Sequence, residues 1–175
     1  LDTRKALDAF LAQAEKRAYR MAFFATGHQE EALDIVQDAM LTLVKRYAQR
    51  DPEEWGPLFT RIMQNRIRDW YRREKVRNKW RVWFGKEDDD KQDIENLPDG
   101  GTNDPLRQIA NAGMTETLEH GLRGLPLRQQ QVFLLRVWDG LDVAETAKAL
   151  GISTGSVKTH YSRAVHRLRE VLGDY

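Results

Sequence analysis

Lys158, Thr159, Ser162, Arg163 and Arg167 recur at helical spacing between Thr154 and Leu172. Hydroxyls set among cations suit hydrogen bonds and charge pairing with phosphates and base edges, not bond making. No acid follows on that stretch until Glu170. The other side carries Val157, Tyr161, Ala164, Leu168 and Val171, apolar at spacings of three and four. Just upstream, Asp142 and Glu145 are placed to cap a short helix reciprocally. Gly151 allows a sharp bend, and Ser153 is placed to cap the next helix. The pattern is a helix-turn-helix, with one helix held down by its apolar side and its cations turned outward.

A second row lies in the first half. Arg61, Asn65, Arg68 and Arg72 follow one another at four, three and four residues, with Asp69 beside them. Leu58, Phe59, Ile62, Met63, Ile67 and Trp70 make the opposite, buried side. Arg66 falls inside that apolar stripe and is expected to snorkel or to pair with an acid on a neighbouring helix. Trp55, Trp70, Tyr71, Trp80, Trp83 and Phe84 are interleaved with the cations. Cations that track phosphates, mixed with rings that stack on bases, suit a single nucleic-acid strand. Trp70 reads as core. Trp55, in an expected loop from Asp51 to Pro57, reads as the ring placed to meet a base.

A third group, Asp34, Gln37 and Asp38, follows Glu30 and Glu31 on the helix expected from Gln29 to Gln49. The helix dipole accounts for acids in its first turn. Asp38 lies too deep for that, so a partner is the better explanation there.

These groups need helices to present them, and the apolar periodicity supplies only helices. They are expected over residues 4–25, 29–49, from Pro57 onward, 105–123 and 127–138, followed by the helix-turn-helix. The fold class is therefore all-α, with two small helical domains, 1–84 and 105–175, joined by an acidic linker, 85–104. In the fifth helix Val132, Phe133, Leu135 and Val137 are the expected core.

Net charge is only +1, from 28 Lys and Arg against 27 Asp and Glu, so charge must be read locally. Ten cations against two acids lie from Arg61 to Lys86, and eight acids against two cations from Lys86 to Asp104. The linker is expected to be either a solvated tether or an acidic strand that occupies a nucleic-acid channel or masks the basic helix. No Cys is present, which removes disulfides and thiolate metal sites and is compatible with a cytoplasmic location. No apolar run is long enough to span a membrane. Leu1-Asp-Thr-Arg does not read as a signal peptide.

His28, His120, His160 and His166 lack metal-ligand spacing, Asp88-Asp-Asp90 reads as solvated, and no phosphate-binding glycine loop is present. The sequence implies no catalytic residue, metal or cofactor, so an enzyme on nucleic acid is the weakest reading. A dimeric regulator with the same helix-turn-helix would need a sensor domain, and the first half offers neither strands nor a ligand pattern.

At this point the chain resembles the extracytoplasmic-function (ECF) group of bacterial RNA polymerase sigma factors. Tyr19–Gly27 and Ala32–Met40 are similar to regions 2.1 and 2.2, and Phe59–Asp69 to regions 2.3 and 2.4. Leu125–Arg136 resembles region 4.1, while Gly140–Ser153 and Gly155–Ala164 resemble region 4.2. The resemblance implies a non-enzymatic factor that directs core RNA polymerase to promoters. It implies docking on the β′ clamp through Asp34, Gln37 and Asp38, and on the β flap. It implies that Trp55, Arg61, Asn65, Arg68, Asp69 and Arg72 serve the melted −10 element. Lys158, Thr159, Ser162, Arg163 and Arg167 would serve the −35 element. An anti-sigma factor is a further implied partner. Leu58, His160 and Tyr161 depart from the usual family residues.

The two elements lie about two DNA turns, roughly 70 Å, apart. A flexible chain of about 25 residues averages only ~25–30 Å end to end. The free protein is therefore expected to be compact, with polymerase imposing the wider spacing.

Overall fold

The computed structural model describes residues 2–83 and 112–173. Three helices form the first half: α1 (Thr3–Thr26), α2 (Gln29–Tyr47) and α3 (Pro52–Trp83). Four form the second: α4 (Ala112–Arg123), α5 (Leu127–Phe133), α6 (Val143–Leu150) and α7 (Thr154–Leu172). A π-helical turn over Leu134–Trp138 continues α5. The all-α reading holds among the described residues. The expected linker, 85–104, and the expected start of the fourth helix at Pro105 lie outside them.

The helix-turn-helix is built as its residues require. Asp142 accepts from the Glu145 N–H at 2.7 Å and the Glu145 carboxylate accepts from the Asp142 N–H at 3.1 Å. Gly151 ends α6 at φ 66°, a left-handed conformation that costs any residue with a Cβ. The Ser153 hydroxyl then accepts from the Ser156 N–H at 3.0 Å and starts α7.

α3 corrects the sequence expectation. Asp51–Pro57 is not a loop, because the helix begins at Pro52. Asp51 accepts from the Glu53 N–H at 3.1 Å, and Glu54 accepts from the Asp51 N–H at 3.2 Å, a reciprocal cap. Pro52 occupies the first helical position, where its missing N–H is not needed. Pro57 sits inside the helix and removes a single ladder bond. Two prolines and a glycine read as a breaker, but capping and burial outweigh it.

Trp55 is corrected with it. The ring is 1% exposed, its indole N–H donates to the Tyr47 carbonyl at 3.0 Å, and Phe10 packs against it at 6.0 Å. It anchors α3 to α1 and to the end of α2, packed inside rather than set in a loop. Trp70 is buried as expected. Arg66 donates to the Thr42 hydroxyl at 3.2 Å, so it ties α3 to α2 through a hydroxyl rather than an acid.

The halves pack into one continuous core. α4 lies on α1, while α5 and α6 lie on α3. Gln131 donates to the Gln64 carbonyl at 3.1 Å across this junction, and both side chains are buried. Trp138 meets Phe24 edge-on at 5.7 Å, and Arg17 donates to the Trp138 carbonyl and to Asp139 at 3.1 Å. The π turn makes this contact available. It rotates the end of the helix so that Leu134, Leu135 and Trp138 are buried, while Val137, expected in the core, is 46% exposed. The compact arrangement expected of the free protein is the one observed.

Candidate nucleic-acid and polymerase interface

α7 is held by Val157, Ala164 and Leu168, all buried. α4 crosses it closely at Gly121, where a Cβ would lie 3.1 Å from Leu168. Tyr161 is partly buried and stacks on Phe133 of α5 at 6.3 Å, with the Arg136 guanidinium 5.6 Å from its ring. Val171, expected on the core side, is 46% exposed. On the outward side Lys158, Thr159, Ser162, Arg163 and Arg167 are all exposed, so the structure brings the expected set together. His166 lies 3.2 Å from Glu170, an exposed pair of little energetic weight.

His160 behaves differently from its neighbours. It is half-buried, its Nδ1 has no hydrogen-bond partner, and burial, then Arg163 and Arg128, lower its pKa. The imidazolium is disfavoured there because taking it from water costs energy that two nearby cations increase.

On α3, Arg61, Asn65 and Arg72 are exposed, while Arg68 and Asp69 are half-buried. The start of this row faces α6. Leu58 and Arg61 lie across a groove of about 860 Å³ from Leu141, Glu145 and Lys148. Further along, Arg68 and Arg72 come near Arg128 of α5 and, after burial, lower its pKa. The row that sequence reading placed free on one helix is thus partly roofed by the second half.

Asp34, Gln37 and Asp38 lie on α2 and are exposed. They share a polar cleft of about 320 Å³ with Arg66, Arg73 and Arg77 of α3. Beside them stand three apolar side chains that the sequence analysis does not single out, Leu33, Leu41 and Val44. They are 46%, 54% and 41% exposed. The signal was present in the sequence: the apolar residues of α2 are too many for one helix side, and the excess brackets the acids. An apolar row beside carboxylates is the composition of a protein-docking surface.

The comparisons with known proteins follow this division. The family "Sigma-70 region 2" matches residues 7–77 and "Sigma-70, region 4" matches residues 115–168. The RNA polymerase sigma-E factor of Streptomyces avermitilis is 32% identical over 142 residues, covering 81% of this chain and 71% of that protein. The chain belongs to the sigma-70 family of RNA polymerase sigma factors, in its ECF group. The ECF RNA polymerase sigma factor BldN of Streptomyces coelicolor is 29% identical over 167 residues, 93% of this chain and 58% of its own length. In fold, the chain is similar to the sigma factor RpoE of Bartonella quintana in complex with the anti-sigma factor NepR. The TM-score is 0.63 at 20% identity, over 94% of this chain and 95% of that one.

For a sigma factor, the two rows of cations fall one in each matched region: α3 in region 2 and α7 in region 4. Region 2 also contains the acidic and apolar side of α2. Among the described residues, no helix is long and apolar enough to cross a membrane.

Proposed function

We propose that this sigma factor docks on core RNA polymerase through α2 and reads promoters at two points, −35 through α7 and −10 through α3. The observation that carries the reading is α7 itself. A buried apolar side and two capped helix starts fix it in place, and five adjacent polar and basic side chains stand in solvent. Lys158 and Arg163 reach guanine edges or phosphates in the major groove, with Thr159 and Ser162 beside them and Arg167 on the backbone.

Arg61, Asn65, Arg68, Asp69 and Arg72 serve the −10 element, which the reading takes as melted. Trp55 has no part in it. Asp34, Gln37 and Asp38, with Leu33, Leu41 and Val44, meet the β′ clamp, and region 4 meets the β flap. Residues 1–84 and 105–175 are the two working units, and the acidic segment 85–104 links them. The factor acts as a regulator rather than an enzyme, needs no cofactor, and works in the cytoplasm. An anti-sigma factor is the expected restraint, supported by the fold neighbour's presence in such a complex.

The closed packing supports one further step. Two DNA elements roughly 70 Å apart cannot be met while α5 and α6 lie on α3. Binding to polymerase must therefore part the halves. Transcription from a pool of genomic fragments, with core polymerase and this protein, tests the whole reading. Specific starts sharing two spaced elements are expected, and starts no different from core polymerase alone would reject it. The protein has no Cys, so Gln49→Cys with Thr154→Cys gives a clean label pair. Their separation should increase on adding core polymerase; an unchanged distance would reject the opening step.

A further inference from the structure

Where the two halves meet, α1 and α3 from the first and α6 from the second border the groove of about 860 Å³. Along α3 its lining runs from Glu53 to Gln64, about 16 Å of helix. Phe10 and Leu58 on one side, and Leu141 and Ala149 on the other, are half-buried, so each shows carbon to the groove. Met21 and Met63, both buried, add to the lining. A concave, largely apolar space of this size with a few polar groups at its rim suits a small molecule.

One residue keeps the space open. Gly56 lies inside α3 on the groove wall. Its φ is not positive, and a Cβ placed there would meet no atom within 4 Å. Neither the backbone nor the packing therefore calls for glycine, which lowers the stability of a helix relative to alanine. A larger side chain at this position would take up the groove.

The charged groups of the lining choose the sign of an occupant. Asp139 is paired with Arg17 at 3.1 Å. Glu145 accepts from the Asp142 N–H at 3.1 Å, and Glu54 from the Asp51 N–H at 3.2 Å. Glu53 stands at the start of α3, about 12 Å back along the helix from Arg61. Arg61 and Lys148 are exposed cations, one from each half, and neither is paired with an acid among the described residues.

We propose that this groove binds a free aliphatic carboxylate, with its chain between Leu58 and Leu141 and its head group held by Arg61 of region 2 and Lys148 of region 4. Burial of the chain supplies most of the affinity. The two cations select a carboxylate over an alcohol or an ammonium of the same length. Both halves supply the site, so the ligand binds the closed form and favours it by mass action. It also covers Arg61 and thereby opposes initiation, a consequence that rests on the promoter reading.

The site itself is tested on the full chain without DNA or polymerase, so it can fail while the promoter reading stands. Decanoate, kept below its micelle-forming concentration, is titrated by calorimetry at fixed ionic strength. One-to-one binding and a raised melting midpoint are expected. Octanoate should bind about tenfold more weakly, because each CH₂ removed costs roughly threefold to fourfold in affinity. Decanol should bind about tenfold more weakly than decanoate, and decyltrimethylammonium not at all. Arg61→Gln and Lys148→Gln should each shrink the advantage of decanoate over decanol. Gly56→Leu should abolish binding of both with helical circular dichroism retained; if that signal falls, the two charge variants decide alone. Lys5→Gln, on α1 away from the lining, should change nothing. Absence of decanoate binding overturns the site. So does binding that survives Gly56→Leu, which would put the chain on another apolar surface such as Leu33, Leu41 and Val44. Equal binding of decyltrimethylammonium, or an effect of only one charge variant, overturns it as well. With decanoate present, the Gln49 and Thr154 labels should need more core polymerase to separate; an unchanged requirement rejects the effect on closure.

Discussion

α3 and α7 both carry a row of cations opposite an apolar stripe, but they are held in different ways. α7 depends on its own neighbourhood: the capping pair Asp142 and Glu145, the bend at Gly151, the Ser153 cap, and α4 to α6 beneath it. Its outward side is open. α3 depends on partners far away in sequence. Trp55 reaches the end of α2, Arg66 holds Thr42, Gln64 meets Gln131, and α6 roofs its first turns. Local construction leaves a DNA-reading helix exposed; long-range construction allows the rest of the chain to cover one.

Four measurements would break or sharpen this contrast. The largest effect is expected at Trp55. Trp55→Ala removes a buried ring and should cost about 3–5 kcal/mol in urea unfolding. A loss under 1 kcal/mol would mean that α3 does not depend on that anchor.

Next comes the division of labour on α7. Arg163→Ala should change which promoters are used, by roughly 1–3 kcal/mol between best and worst sites. Arg169→Ala should weaken all of them alike. Genome-wide start mapping with both variants decides, and identical profiles would refute the division.

Asp142→Ala breaks one arm of the reciprocal cap and should cost about 1 kcal/mol. If α7 is locally built, that loss appears as faster amide exchange in α6 and α7 and leaves exchange in α3 unchanged.

The smallest effect is pH-linked. The pKa of His160 lies below its ordinary 6.5, chiefly through burial. The unfolded state then binds the proton more readily than the folded one. This contribution to stability is complete above the ordinary value and is lost as pH falls below it. Melting between pH 7.5 and 5.5 should show a downward slope that His160→Gln flattens. An equal slope in the variant would remove His160 as its source.

Several of these features were legible without the structure. The helix-turn-helix could be read to the residue because caps, turn and apolar spacing are all local signals. Its five outward side chains are exposed as expected. The acids of α2 were also found, although their apolar companions were not, because periodicity alone cannot say which of two apolar sides is covered. The loop before α3 was misread for a definite reason. Proline and glycine are breakers on average, yet Pro52 stands at the one helical position that favours it, and Trp55 gains more from burial than Pro57 loses. Val137 was misassigned because a π turn adds a residue to the helical period, and nothing in Leu134–Trp138 announces it.

By itself, then, the sequence determined the helices with strong local signals, the placement of cations on α3 and α7, and through both the family. Tertiary structure alone decided which of those cations are free. Arg163 and Arg72 look alike in sequence, as outward positions on amphipathic helices. Only packing brings Arg72 within range of Arg128 and leaves Lys158 in open solvent. Charge is a property of the residue, but the field it stands in is summed over every element that folding brings near it.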